Sequence, residues 1–127
     1  MLPLGACELL CSGLPRAGSF DDAMRLIERA RSMMLGAGML TVNAIASRQH
    51  ETGEIHLKRI WTSEPDAYPV GGAKRKTPTR WTRQLLEQCQ VFVGEGDDAL
   101  AEAFDDHMRI AALDMHSVVN VPIIRDG

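Results

Sequence analysis

The chain has 127 residues, 45% of them hydrophobic and 24% charged, and its formal net charge is -3. This size and composition are typical of one soluble domain. The small negative charge argues against a nucleic-acid partner, and no apolar run reaches the roughly 20 residues that span a bilayer. Three cysteines, an odd count, favour a reducing, cytoplasmic compartment over a disulfide framework.

Residues 1–18 show little apolar periodicity, which predicts a flexible N-terminal tail followed by one domain over residues 19–127. Ser19 and Asp22 have the spacing of a capping box and predict a helix over residues 20–35. One face of this helix is apolar, which favours either core packing or a homodimer interface. That face contains Ala23, Leu26, Ile27, Ala30, Met33 and Met34.

Two strands are predicted after this helix. Residues 40–47 are rich in β-branched side chains, and residues 55–62 alternate in a period of two. The sequence between them is typical of a turn, so we expect an antiparallel hairpin. On the second strand, Ile55, Leu57, Arg59 and Trp61 share one face.

The second half of the chain predicts two helices and two short strands. Thr77 followed by Pro78 indicates a helix start, and Cys89 is expected on the buried face of that helix. Residues 91–94 predict a strand, and Asp97 predicts the cap of a further helix. Residues 117–124 predict the last strand, where Pro122 indicates an edge, a bulge or the strand end. The buried stripe of the last helix is expected at Leu100, Ala103, Phe104, Met108 and Ala111.

The segment over residues 59–81, which runs from the end of the second strand into the next helix, concentrates the large rings and the positive charge. It contains both tryptophans and the only tyrosine, Trp61, Trp81 and Tyr68. It also contains a Pro-Val-Gly-Gly turn and a basic run that begins at Lys74. Such a segment is unusual in a chain that is only 5% aromatic.

The sequence “RIWTSEPDAYPVGGAKRKTPTRW”, followed by “VFVGEGDDALAEAFDDH” and “SVVNVPI”, is similar to a group of small, stand-alone bacterial GAF-domain proteins. The resemblance covers residues 20–127. It implies an α+β fold, a GAF-like antiparallel sheet with flanking helices, and a role in signal transduction through a small-molecule ligand. In that family a further strand and a terminal helix follow, so both are expected to be missing from this chain.

The loop residues could bind a small anion. Two glycines permit close backbone approach and an anion nest, the lysines add charge, and the rings could form flat walls. The alternative is that the rings belong to the core and the basic run is a solvated surface. We expect ligand binding at Arg59, Trp61, Tyr68, Gly71, Gly72, Lys74, Lys76, Trp81, Asp106, His107 and Asn120.

Asp106 and His107 offer a carboxylate and an imidazole on one helix. His107 could be a general base, but no serine or cysteine is placed to act as its nucleophile. The alternative is a structural histidine, and neither residue has recognised metal-ligand spacing. Asn120 lies within the last strand, where it could bind a ligand or hold the long loop.

Three functions follow from these patterns. The first is a cytoplasmic, non-catalytic sensor that binds a small molecule and needs no cofactor. The second is an interaction or scaffold protein that dimerises through the helix at residues 20–35. The third is an enzyme on the same fold that uses His107.

Overall fold

A computed structural model describes residues 3–126 of the chain. The helices are α1 (Leu4–Gly13), α2 (Phe20–Leu35), α3 (Arg80–Thr82), α4 (Asp97–Ala103) and α5 (His107–Ala112). The strands are β1 (Thr41–Arg48), β2 (Ile55–Thr62), β3 (Ala73–Lys76), β4 (Phe92–Glu95) and β5 (Ser117–Asn120). Helices and antiparallel pairing in one chain confirm the α+β class.

The chain divides into two compact units. The first contains the residues up to Ser47 together with His56–Arg75, and the second contains Arg48–Ile55 and the chain from Lys76 onward. Strands β1, β2 and β3 form one sheet in that order, and β4 pairs with β5 in another. Within residues 3–126, no helix combines the length and the apolar character needed to cross a membrane.

The N-terminal segment is a helix where a flexible tail was expected. Leu4–Gly13 forms α1, the turn Leu14–Arg16 follows, and Ala6 is fully buried. A Cβ on Gly13 would lie 2.9 Å from Cδ1 of Leu26 in α2, so the missing side chain permits this close approach. The expectation of a tail is therefore wrong for residues 4–16, because small residues allow α1 to pack on α2. Residues 1 and 2 lie outside the described part of the chain.

Helix α2 begins as predicted. The Ser19 hydroxyl accepts a hydrogen bond from the backbone N–H of Asp22 (3.0 Å), and Gly36 ends the helix at a φ of 74°. The predicted apolar stripe is not uniformly buried, since Ala30 is buried whereas Ile27 remains exposed. Met24, which was not part of the predicted stripe, is buried as well.

Backbone hydrogen bonds close the hairpin of β1 and β2 at both ends. The N–H of Ser63 donates to Leu40, and at the turn the N–H of Gln49 donates to Glu54, both over 2.9 Å. The predicted alternation is confirmed, because the buried residues of β2 are Ile55, Leu57, Arg59 and Trp61.

The basic run is part of the sheet rather than a loop. Ala73–Lys76 forms β3 next to β2. At the entrance to β3, the N–H of Arg59 donates to Gly72 (2.8 Å) and the N–H of Gly71 donates to Arg59 (2.9 Å). These two bonds bring the chain back alongside β2, a long-range pairing that local sequence does not specify.

Two helical predictions in the second unit need correction. Thr79, not Thr77, caps α3, and it forms a reciprocal capping box with Thr82. The helix continues as the π-helical turn Arg83–Glu87, after which Cys89 has a φ of 54° and is exposed. Cys89 is therefore not on a buried helix face, because the helix has already ended when the chain reaches it.

The single helix expected after Asp97 is interrupted. Helix α4 ends where Phe104 becomes extended (φ -132°), and α5 begins at His107. Two aspartates separate the helices, and this residue type competes for local hydrogen bonds and favours turns. Leu100 and Phe104 are buried as expected, but Met108 is 73% exposed.

The last strand is short and ends before its proline. In the antiparallel pair β4–β5, Phe92 lies opposite Asn120 and Val93 opposite Val119. Pro122 follows the end of β5, which fits one of the three alternatives given for it, but the strand ends at Asn120 rather than at residue 124.

Candidate functional site

The predicted ligand-binding residues fall into both units, and each unit is described separately. The first contains Arg59, Trp61, Tyr68, Gly71, Gly72 and Lys74, and the second contains Lys76, Trp81, Asp106, His107 and Asn120. Side-chain contacts join Arg59, Tyr68 and Lys74 in the first unit, and Lys76, Trp81 and Asn120 in the second.

The guanidinium of Arg59 is the central group of the first unit. Alternation along β2 places it on the buried face of the strand, and only 5% of the residue is exposed. Its Nη1 donates to the carbonyl of Pro69 (3.1 Å), and its Cζ lies 4.9 Å from the centroid of the Tyr68 ring. Its Nε is buried without a hydrogen-bond partner, and no carboxylate of residues 3–126 pairs with it.

Lys74 brings a second cation to the same ring. Its Nζ lies 5.7 Å from the centroid of Tyr68, which is only 2% exposed. The face of a phenol ring attracts cations, so Tyr68 stabilises positive charge on both residues. We name Arg59, Tyr68 and Lys74 the cationic cluster.

The turn before β3 lies directly beside the cationic cluster. A Cβ on Gly72 would lie 2.6 Å from Nη1 of Arg59, so this position accommodates only glycine without displacing the guanidinium. Gly71 has a φ of 89°, and the space where its Cβ would be is open.

The predicted anion nest at these glycines is wrong. The N–H of Gly71 donates to Arg59, and the N–H of Gly72 donates to Pro69 over 3.3 Å. Because both backbone donors are used within the loop, an anion at this turn would have to be bound by side chains.

Trp61 is buried and joined to α2. Its Nε1–H donates to Oδ1 of Asp21 (2.9 Å), and only 8% of the residue is exposed. The same carboxylate pairs with Arg25 (2.7 Å), and the hydrogen bonds from Arg25 and then Trp61 lower the pKa of Asp21. Trp61 therefore fits the interpretation as a core ring better than the interpretation as a wall of a ligand site.

In the second unit, Lys76 lies between two rings. Its Nζ is 4.8 Å from the centroid of Trp81 and 4.9 Å from that of Phe104, and it donates to the carbonyl of Ala103 (3.1 Å). The two rings meet edge to face, with centroids 6.0 Å apart. An ammonium held this way is compensated by π faces and a carbonyl.

Asn120 binds the other tryptophan. Its Oδ1 accepts a hydrogen bond from Nε1–H of Trp81 (3.0 Å), which ties α3 to β5. The alternatives for Asn120 were that it binds a ligand or that it holds the long loop. Its bond to Trp81 holds the segment that follows this loop. A small cavity of about 110 Å³ lies beside Trp81 and also contacts Phe92 and Glu102.

Asp106 and His107 lie at the start of α5. Nδ1 of His107 is 3.1 Å from the carbonyl oxygen of Phe104, which can only accept, so Nδ1 carries the proton. This hydrogen bond to the backbone fits the alternative interpretation, in which His107 is a structural histidine rather than a general base. Among residues 3–126, no group of three histidines, cysteines or acids is arranged to hold a metal ion.

Two important partners were missed by the sequence reasoning. Asp21 and Phe104 contact the predicted aromatic residues but are distant from them in sequence. A weak signal existed for Asp21, because a buried indole N–H needs an acceptor and an acid near a helix start is a good one.

Comparison of the chain with protein-family models, with curated proteins and with solved structures gave no match.

Proposed function

We propose that this chain is a non-catalytic, GAF-like sensory module that binds a small anionic molecule at the cationic cluster. The observation that carries the proposal is the guanidinium of Arg59, which is buried, lacks a carboxylate partner and has an unused Nε–H. The resemblance of the loop residues to GAF-domain proteins supports the same class of function.

The energetic cost of the Arg59 charge supports an anionic ligand. A buried charge without a counter-ion costs several kcal/mol even after relaxation. The contact with Tyr68 and the bond to Pro69 each offset about 1–2 kcal/mol of this cost. An anion would supply the remaining compensation, and the forked donors of arginine suit a carboxylate or a phosphate.

The surroundings of Arg59 support binding rather than turnover. Lys74 adds a second positive charge near Tyr68, and open space adjoins Gly71. Val70 is 62% exposed, so the tip of this turn reaches solvent. The groups of the cationic cluster attract and orient an anion, but none of them is placed as a nucleophile with a general base.

The test uses native mass spectrometry of the chain purified from cells without denaturant. We expect the wild type to carry a discrete non-covalent adduct and Arg59→Met to lack it. Lys58→Met is the matched control, because Lys58 is the exposed neighbour on the opposite face of β2 and its loss changes the net charge equally. A screen of small carboxylates and phosphates by thermal shift complements the adduct, since a ligand that binds only the folded state raises Tm.

Unfolding in urea separates this role from a structural one. Without ligand, Arg59→Met should be at least as stable as the wild type, because methionine removes an uncompensated buried charge. An adduct retained by Arg59→Met, or a wild type that neither carries an adduct nor responds to any compound of the screen, would refute the proposal.

A second candidate function is homodimerisation through α2. Phe20, Ile27 and Met34 recur at intervals of seven along this helix and are 54%, 36% and 36% exposed. Residues seven apart lie on one side of a helix, so these three form an apolar stripe, which we name the α2 stripe. A small-molecule sensor that dimerises would combine both functions.

A further inference from the structure

An open groove in the first unit has three arginines among its seven lining residues. It lies where the end of α1 and the turn Leu14–Arg16 pass along α2, and its volume is about 440 Å³. Arg16, Arg25 and Arg29 line it, together with Asp22 and the apolar side chain of Leu26. This volume lies within the range of small-molecule sites.

The positive charges of the groove exceed the negative ones. Arg16 and Arg29 form no ion pair with any residue between 3 and 126, and Asp22 is the only acid in the lining. Arg25 uses its Nε for Asp21, and its two terminal nitrogens remain available. Because Asp21 compensates Arg25, the uncompensated positive charge of the groove comes from Arg16 and Arg29, with Asp22 as the one carboxylate in the lining.

The fold brings these charges together at some cost. Arg25 and Arg29 are four residues apart on α2, a spacing at which like charges repel. Arg16 joins them because α1 packs closely on α2 at Gly13, which directs the following turn across the same helix. An anion in the groove would reverse the repulsion, because each guanidinium could donate two hydrogen bonds to it.

We propose that this groove binds a small soluble molecule that carries two or more phosphate charges, with its apolar part against Leu26. Phosphate groups match the planar, forked donors of arginine, and the open groove leaves room for a second phosphate. This site is separate from the cationic cluster, so the proposal does not depend on the function of Arg59.

The experiment titrates ¹⁵N-labelled chain with inorganic pyrophosphate and follows the backbone amides and the arginine Nε–H signals by NMR. We expect saturable shifts at Arg16, Arg29 and the amides around Leu26. In Arg16→Gln/Arg29→Gln the dissociation constant should increase by about tenfold or more. Arg48→Gln/Arg125→Gln is the matched control, since it removes two exposed arginines outside the groove and should change the constant less than about twofold.

Three results would overturn the proposal. One is an equal loss of affinity in both double variants, which would indicate attraction by net charge alone. Another is a lack of saturable shifts in the groove of the wild type, including the case in which only Arg59 and its neighbours respond. The third is that the chain sediments with phosphatidic acid vesicles but shows no saturable binding of pyrophosphate, which would assign the arginines to a lipid surface. A native adduct that survives Arg59→Met but is lost in Arg16→Gln/Arg29→Gln would support this site and not the cationic cluster.

Discussion

The indole N–H of each tryptophan donates to the side-chain oxygen of a residue about forty positions away in the chain: Trp61 to Asp21, and Trp81 to Asn120. Both rings are more than nine-tenths buried. These residues therefore combine apolar burial with one directional bond, and this fixes where a helix meets a strand. The rings that first suggested ligand walls instead stabilise the fold around the long loop, and Tyr68 is the ring beside the proposed ligand.

The imidazole of His116 lies between two carboxylates. Its Nδ1 lies 2.7 Å from Asp97 and its Nε2 lies 3.1 Å from Asp114. The hydrogen bond to Asp97, followed by that to Asp114, raises the pKa of His116 above its ordinary value of 6.5. Asp114 has a φ of 58°, a conformation that aspartate tolerates, and it brings the carboxylate to the ring.

The sign of the resulting pH effect follows from linkage. A histidine whose pKa is raised by folding stabilises the protein fully below the unfolded pKa, and this stabilisation is lost as the pH rises through the folded pKa. We therefore predict that the wild type has a larger free energy of unfolding in urea than Asp97→Asn below pH 6.5. This difference should disappear as the pH rises into the alkaline range. An NMR titration of the His116 ring checks the cause directly. A His116 pKa at or below 6.5, or a His116 pKa that is the same in Asp97→Asn as in the wild type, would contradict this explanation.

At the scale of single elements, α2 has sides with different partners. Its first turn receives Trp61 at Asp21, and the side with Leu26 and Met33 lies along α1, where a Cβ on Gly5 would lie 3.2 Å from Cε of Met33. The α2 stripe is left exposed. One amphipathic pattern in the sequence is thus divided between an intrachain contact and a free surface.

The packing of α1 on α2 predicts a position-specific response to a larger side chain. Ala6 is fully buried, so Ala6→Leu should overpack the contact and reduce the free energy of unfolding by about 1–3 kcal/mol. Cys11→Leu adds volume at an exposed position of the same helix and should change it by less than about 0.5 kcal/mol. Urea unfolding measures both values, and equal effects of the two variants would mean that α1 does not pack as described.

At the scale of the whole molecule, exposed apolar side chains occur along much of the described chain, and in two places they lie side by side. The outward side of the pair β4–β5 carries Val93 and Val119, which face each other across the strands and are 57% and 61% exposed. The α2 stripe is the other place. Contiguous apolar surface of this kind often marks an interface.

The α2 stripe predicts a homodimer that does not require ligand. Ile27→Glu should shift the chain toward the monomer in native mass spectrometry, because it would place a carboxylate in each half of a twofold-symmetric contact. Lys58→Glu, at an exposed position of β2, is the control for added negative charge and should leave the dimer intact. A wild type that is monomeric at every concentration measured, or an Ile27→Glu variant that dimerises as well as the wild type, would show that this stripe is not the interface.

Local patterns in the sequence determined several features of the structure. The Ser19 cap and the alternation of β2 each depend on neighbouring residues, and both predictions were confirmed. Periodicity also placed Arg59 on the buried face of its strand. The nomination of Arg59 as a ligand residue came with the resemblance to GAF-domain proteins, and its role in binding stays a prediction.

The tertiary structure decided what those residues contact. The basic run became a strand because it pairs with β2, and the tail became a helix because α2 offers a surface for its small residues. The anion nest was lost because Gly71 and Gly72 donate within the loop. Caps and alternation arise from interactions over a few residues, whereas pairing, burial of a charge and the arginine groove arise from contacts between distant parts of the chain, which local sequence does not encode.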